Sequence, residues 1–284
     1  MKKLTLMHYF LKFFFYGFFS AGILLVTSCG SGDNTPPNAP NVQANNLFYG
    51  VKASFFVGVS ELNNGIKISV SNCSSLTQVN SSNPMYLAYA CTITQSGPLA
   101  LTATDANGNL LLTKNFTVPV PLVSMVTSQG TIVLELNPNA APLSVNNFLQ
   151  YVQDGFYANT IFHRVISGFV VQGGGFLTGM VPKTPTYPSI ALESQNGLSN
   201  VRGSLAMART SDPNSATSQF YVNLADNLSL DYVNASNPGY AVFGKVVTGM
   251  DVIDKMATST TSTVNNYSDV PTVDITLNSV TRTQ

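Results

Sequence analysis

Thr160-Ile161-Phe162-His163-Arg164-Val165-Ile166-Ser167-Gly168-Phe169-Val170-Val171-Gln172-Gly173-Gly174 is the stretch from which the fold can be read. Thr160–Ile166 is rich in β-branched and aromatic residues and reads as a strand, in which neighbouring side chains alternate faces. Upstream, the apolar runs Leu122–Val126 and Thr131–Leu136 flank Ser128-Gln129-Gly130, the pattern of a hairpin. Pro142 then suits a first helical position, where its missing N–H costs nothing. Val145, Phe148, Leu149 and Val152 follow at helical spacing, and Asp154-Gly155 stops the run. Downstream, Met250–Met256 fits a second short helix and Val273–Val280 a last strand. Many strands with only two helices suggest a closed β-barrel with helical end plugs.

The 284-residue chain has room for one large domain or two modest ones, and its apolar content is that of a globular protein. The first 28 residues hold Lys2, Lys3 and Lys12 and no acids. Without them ten basic and thirteen acidic residues remain, a net of −3, which offers no handle for nucleic acid or anionic lipid. Histidine occurs only as His8 and His163. A zinc site built from several histidines is therefore excluded, and any Ser-His or Cys-His triad would hang on one side chain. No metal site and no cofactor is expected.

Residues 1–28 read as a signal peptide: Met1-Lys2-Lys3 is a positive start, and the apolar run Phe13–Val26 is too short for a spanning helix. Val26-Thr27-Ser28-Cys29 resembles the bacterial lipobox, which implies lipidation of Cys29, export, and anchoring to a membrane. Gly30 after the cysteine points to the outer membrane, facing the periplasm or the cell surface. Residues 29–46, rich in Gly, Asn and Pro, read as a tether. Residues 47–119 carry short apolar runs at Phe55–Val57, Ile66–Val70, Leu99–Ala103 and Leu110–Leu112, with turn signals at Asn63-Asn64-Gly65 and Asn107-Gly108-Asn109. They read as a small β-sandwich whose spacing loosely resembles bacterial immunoglobulin-like modules. Its Cys73 and Cys91 form either a disulfide, which suits an oxidising compartment, or two buried thiols.

Three segments in residues 120–284 carry a more specific resemblance. They are Phe162–Gly174, Gly203-Ser204-Leu205-Ala206-Met207-Ala208-Arg209 running on to Ser218-Gln219-Phe220-Tyr221, and Tyr240-Ala241-Val242-Phe243-Gly244-Lys245-Val246. In order and spacing they are similar to the signatures of the cyclophilin-type peptidyl-prolyl cis/trans isomerases, and the intervening MARTSDPNSATSQF looks like the bacterial periplasmic branch. The resemblance implies an eight-stranded antiparallel barrel capped by two helices, proline-containing polypeptides as partners, and a role in folding exported proteins. A monomer is expected.

The chemistry asks for little. Resonance gives the prolyl peptide bond a rotational barrier of about 18–20 kcal/mol, and isomerisation breaks no bond. A donor aimed at the prolyl nitrogen, a dry pocket for the ring and a grip on the flanking backbone suffice. Stabilising only the twisted state gains tenfold per ~1.4 kcal/mol. By resemblance Arg164 is the catalytic arginine, Gln172 orients it, and Phe169 floors the proline pocket. Val170, Tyr221 and Leu230 wall the pocket, Ala208, Arg209 and Gln219 hold the substrate backbone, and Tyr240 is a further substrate-binding residue. At Arg209 only the main chain is needed. His163 is read as structural, because the twist needs no proton abstraction.

The chain departs from the well-known eukaryotic members at Val170 (Met there), Tyr221 (Phe) and Tyr240 (His). At Ser229, Trp or Phe is usual. The Ser229 change thins one apolar wall and implies weak binding of cyclosporin and weaker hold on substrate. A buried Tyr221 hydroxyl would need a partner. Two other readings stay open: a binding module that grips proline segments with turnover incidental, and a purely structural surface lipoprotein.

Overall fold

The computed structural model describes residues 41–58 and 65–284. The expected signal peptide 1–28, Cys29 and most of the 29–46 tether lie outside the described residues, as do Asn63 and Asn64 of the first turn signal.

Seven strands precede residue 120: β1 (Val42–Asn45), β2 (Lys52–Gly58), β3 (Lys67–Val70), β4 (Cys73–Val79), β5 (Tyr86–Ile93), β6 (Gly97–Thr104) and β7 (Leu110–Val118). They make two antiparallel sheets, β1-β2-β5-β4 and β3-β6-β7. Alternation decides what each sheet buries. In β6 Leu99, Leu101 and Ala103 turn inward while their neighbours stay half-exposed, and they share one cluster with Phe55, Val57 and Ile93. The β6–β7 turn carries a left-handed Gly108, and the Asp105 carboxylate accepts the N–H groups of Asn107 and Asn109. A disulfide joins Cys73 to Cys91, with Cα atoms 5.7 Å apart.

Strand β1 falls inside the stretch read as tether. Val42 and Ala44 pack on the cluster while Gln43 and Asn45 face away. Two apolar residues at period two in an Asn-rich stretch are too faint a signal to read without the partner strand.

Eleven strands and two helices follow: β8 (Leu122–Thr127), β9 (Gly130–Leu136), α1 (Pro142–Gln153), β10 (Thr160–Ile166), β11 (Val170–Leu177), β12 (Val181–Pro182), β13 (Ser204–Met207), β14 (Phe220–Asn223), β15 (Val242–Thr248), α2 (Met250–Ala257), β16 (Thr261–Val264), β17 (Tyr267–Pro271) and β18 (Leu277–Arg282). Eight of the strands form one antiparallel sheet in the order β10-β11-β14-β13-β15-β9-β8-β18. The sheet nearly closes on itself, with a bridge between Ile161 and Thr276 and a bond from the Phe162 N–H to the Ile275 carbonyl at 2.9 Å. This is the mainly β, eight-stranded barrel with two helices. β12 extends β11, and β16 and β17 form a separate hairpin. The last strand starts at Leu277, not Val273: Val273 is 76% exposed, and residues 274–276 cross over to reach β10.

The barrel is filled largely by aromatic rings. Phe148 of α1 lies 5.3–5.6 Å, centroid to centroid, from Tyr157, Phe220 and Phe243. Pro142 sits at the start of α1 as expected, but Ala141 has no side chain with which to cap it. The Glu193 carboxylate caps it from a distance, accepting the N–H groups of Leu143 and Ser144 at 2.9 and 2.8 Å. Tyr49, between β1 and β2, is 3% exposed, packs in the barrel's core cluster, and donates to Asn146 Oδ1 on α1 at 2.8 Å. Asn139 pairs with the backbone N–H and carbonyl of Ser96.

Candidate active site

Register assembles the site. Arg164 on β10 lies opposite Gln172 on β11, Gln172 opposite Tyr221 on β14, Tyr221 opposite Ala206 on β13, and Ala206 opposite Val242 on β15. Residues paired across neighbouring strands point to one face, so this row crosses five strands on one side of the sheet. Their chain neighbours Val171, Leu205, Phe220, Val222 and Phe243 point the other way, into the barrel core. Val170, Ala206, Tyr221 and Val242 instead form a second apolar cluster, joined by Phe169, Ala208, Leu230 and Tyr240. Strands β13 and β14 are therefore buried at every position.

This outer cluster floors a concavity of about 270 Å³. Nine of the ten residues assigned from sequence line it: Arg164, Phe169, Val170, Gln172, Ala208, Arg209, Tyr221, Leu230 and Tyr240. The tenth, Gln219, stands behind Gln172 and accepts its Nε2–H at 3.0 Å. Gln172 Oε1 in turn accepts from Arg164 Nη1 at 3.5 Å. The glycine run explains how Gln219 fits, since a Cβ at Gly175 would come within 2.5 Å of its Cδ. A larger concavity of about 390 Å³, between Thr178–Met180 and the β16–β17 hairpin, is lined by none of the assigned residues.

The Tyr221 hydroxyl finds its partner away from the concavity. It donates to Asn200 Oδ1 at 2.7 Å, and burial pushes its pKa well above the ordinary phenol range. Asn200 Nδ2 donates to the Leu230 carbonyl and to Asp231 Oδ1. Asn223 donates to Asn200 and Ser204, while Asn227 bonds Asn223 Oδ1 and the Phe169 carbonyl. This network ties together Phe169, Tyr221 and Leu230 from behind, and every polar group named in it is satisfied, so the concavity keeps an apolar floor. Sequence reasoning missed Asn200. A single asparagine in a loop gives no signal until the fold sets it behind Tyr221.

The Arg209 side chain was also undervalued. Its guanidinium lies 4.4 Å from the Tyr240 ring centroid, and Nε and Nη2 donate to the Gly239 carbonyl at 3.0 and 2.8 Å. It braces a wall in addition to offering its main chain. Ser229 is exposed in the 3-10 turn Leu228–Leu230, and the same turn presents Leu230 to the concavity.

His163 faces away from Arg164, is 5% exposed, and packs at a tilt against Phe176, 4.5 Å between ring centroids. Burial, more than the adjacent Arg164 charge, lowers its pKa to about 4, so it is neutral at physiological pH. Its Nδ1 has no hydrogen-bond partner among the described residues. Among the described residues no cluster of three or more His, Cys, Asp or Glu could hold a metal, and no helix is long and apolar enough to cross a membrane.

Residues 122–282 match the model of the family described as cyclophilin type peptidyl-prolyl cis-trans isomerase/CLD. A peptidyl-prolyl cis-trans isomerase of Acinetobacter baylyi is 55% identical over 152 residues, 53% of this chain and 79% of that protein. Peptidyl-prolyl cis-trans isomerase B of Escherichia coli K12 is 48% identical over 165 residues, 56% of this chain and 98% of that protein. Among solved structures, a Cryptosporidium parvum cyclophilin crystallised in the presence of the dipeptide Ala-Pro is similar with a TM-score of 0.50 at 28% identity. The match covers 57% of this chain and 99% of that one.

Proposed function

The chain belongs to the cyclophilin-type peptidyl-prolyl cis-trans isomerases and is an enzyme of that kind, and on that premise we propose that it accelerates Xaa–Pro rotation in exported proteins, with Arg164 as its catalytic arginine. The observation that carries the assignment is the shared row: Arg164 and Gln172 stand beside an apolar floor that runs through Tyr221 and Ala206 to Val242.

In this reading the proline ring enters the dry cluster around Phe169, Tyr221 and Leu230. As the bond twists, the prolyl nitrogen loses conjugation and gains a lone pair. The always-charged Arg164 fork meets that lone pair, and Gln172, held by Gln219, limits where the fork points. Ala208 and Arg209 offer backbone at the rim. His163 takes no part, being neutral and on the opposite face.

An isomerisation assay on the mature chain with a short Xaa-Pro peptide tests this. Arg164→Ala should keep the fold and lower the rate at least tenfold, or about 1.4 kcal/mol of transition-state stabilisation. A folded variant with an unchanged rate would sink the assignment. Ser229 favours a second reading, since one wall lacks its usual bulk and the site could serve mainly to grip proline segments. Wild type that binds the peptide without accelerating it would select that reading.

The lipobox-like Val26-Thr27-Ser28-Cys29 supports the further proposal of a lipid-anchored protein of the bacterial periplasmic branch, held at the outer membrane. Cells fed labelled palmitate should label the wild type and not Cys29→Ser; equal labelling of both would remove the anchor from the proposal.

A further inference from the structure

The guanidinium of Arg164 is loosely held on the Gln172 side, where the bond from Nη1 is 3.5 Å long, near the limit of a hydrogen bond. A second group approaches from the other side. Asp269 Oδ2 lies 3.8 Å from Arg164 Nε. Among the described residues these are the two polar side chains that meet this guanidinium, one at Nη1 and one at Nε. Nη2 has no hydrogen-bond or ion-pair partner among the described residues.

Asp269 belongs to the β16–β17 hairpin, which is outside the barrel sheet and contributes nothing to the lining of the concavity. The hairpin is nonetheless anchored firmly against β10 and β11. Val270 is 2% exposed in a cluster with Ile161, Phe176 and Met180, and the Tyr267 ring packs edge-on to Phe176 at 5.0 Å. The register slips between Ser262↔Val270 and Val264↔Tyr267, so the two strands are irregular where Asp269 sits. Asp269 itself has a left-handed φ of +60°, a region that residues other than Gly, Asn and Asp avoid. An irregularity of this kind re-aims a side chain, and unusual backbone concentrates where function needs an orientation that regular pairing does not supply. The pair is 37–38% exposed, so it adds little to stability.

We propose that Asp269 is a positioning residue for isomerisation: its carboxylate, an ion-pair partner of Arg164 Nε, biases the side chain so that an N–H edge of the guanidinium points at the prolyl nitrogen, and the β16–β17 hairpin exists in part to deliver it. The proposal rests on the reading of Arg164 as the catalytic arginine, and the test separates the two.

Three variants are measured beside Arg164→Ala in the mature chain: Asp269→Asn, Asp269→Gly and Asp269→Glu. Asn and Gly both accept the left-handed backbone, so the hairpin survives while the carboxylate goes. The expected result is a fall in kcat of about fivefold for Asn and Gly with KM within about twofold, and partial recovery with Glu. The chain has four arginines, so the Nε–H signals are few enough to assign by NMR. That of Arg164 should change from ordered to mobile in Asn and Gly. If Arg164→Ala is slow but Asn and Gly keep the wild-type kcat, the positioning role is overturned and the catalytic reading stands. A loss in Asn and Gly with an unmoved Arg164 signal, or with KM rising in step, also overturns it. An Arg164→Ala variant as fast as wild type would overturn both.

Discussion

The two-sheet region before residue 120 and the barrel after it bury their cores differently. In the first, β6 shows one-sided burial: Leu99, Leu101 and Ala103 turn inward between more exposed neighbours, and a disulfide joins β4 to β5. In the barrel, β13 and β14 bury both faces. One face packs on the ring cluster around Phe148, and the other forms the floor under Arg164 and Gln172. An antiparallel sheet ordinarily shows one face to water. β13 and β14 depart from that, and their second buried face is the floor of the concavity.

The sharpest way to break this comparison is through the disulfide. Replacing Cys73 and Cys91 by serine should cost the first region about 3 kcal/mol in the chain-entropy model, given their separation of 18 residues. Hydrogen exchange in β4 and β5 should rise while the isomerisation rate stays at wild type. A rate that falls with the disulfide would show that the first region shapes the site, through the Tyr49 bond to Asn146 of α1 or the Ser96–Asn139 pair.

Acid sharpens the comparison from the other side. Among the described residues His163 is the one histidine, and it sits in the barrel. Above pH 6.5 it is neutral in both folded and unfolded chains. Below that the unfolded chain takes up a proton that the folded barrel refuses until about pH 4. The depressed value thus contributes stability that is present above pH 6.5 and lost as pH falls from 6.5 to 4. The loss is on the order of 3 kcal/mol in all. His163→Gln should flatten that part of the denaturation-versus-pH curve for the barrel. An unchanged acid slope would mean that His163 does not reach the folded state as a buried neutral base.

Much of this was legible in the chain. The helices at Pro142 and Met250 and the hairpin at Ser128–Gly130 were readable because local chemistry, a proline start, a helical stripe and a turn, decides them. Nine of the ten assigned site residues lie in three motifs, with Leu230 outside them; all but Gln219 line one concavity, because strand register brings the motifs side by side and a 3-10 turn adds Leu230. Strand β1 was not legible. Two small inward residues in a polar stretch acquire meaning only beside β2. The start of β18 was misplaced because apolar Val273 continues the pattern, yet the chain needs residues 274–276 to close the barrel.

Local chemistry along the chain is enough to give the elements and the residue types that a bond rotation needs: a permanent cation, an amide beside it, and apolar rings. Tertiary structure alone decided who supports them. Asn200 satisfies the Tyr221 hydroxyl, Arg209 covers Tyr240, Glu193 caps α1, and Asp269 reaches Arg164 from 105 residues further along the chain. The physical reason is distance along the chain. Periodicity and turn chemistry act over a few residues, whereas a polar partner for a half-buried group can come from any segment that the closed sheet brings near.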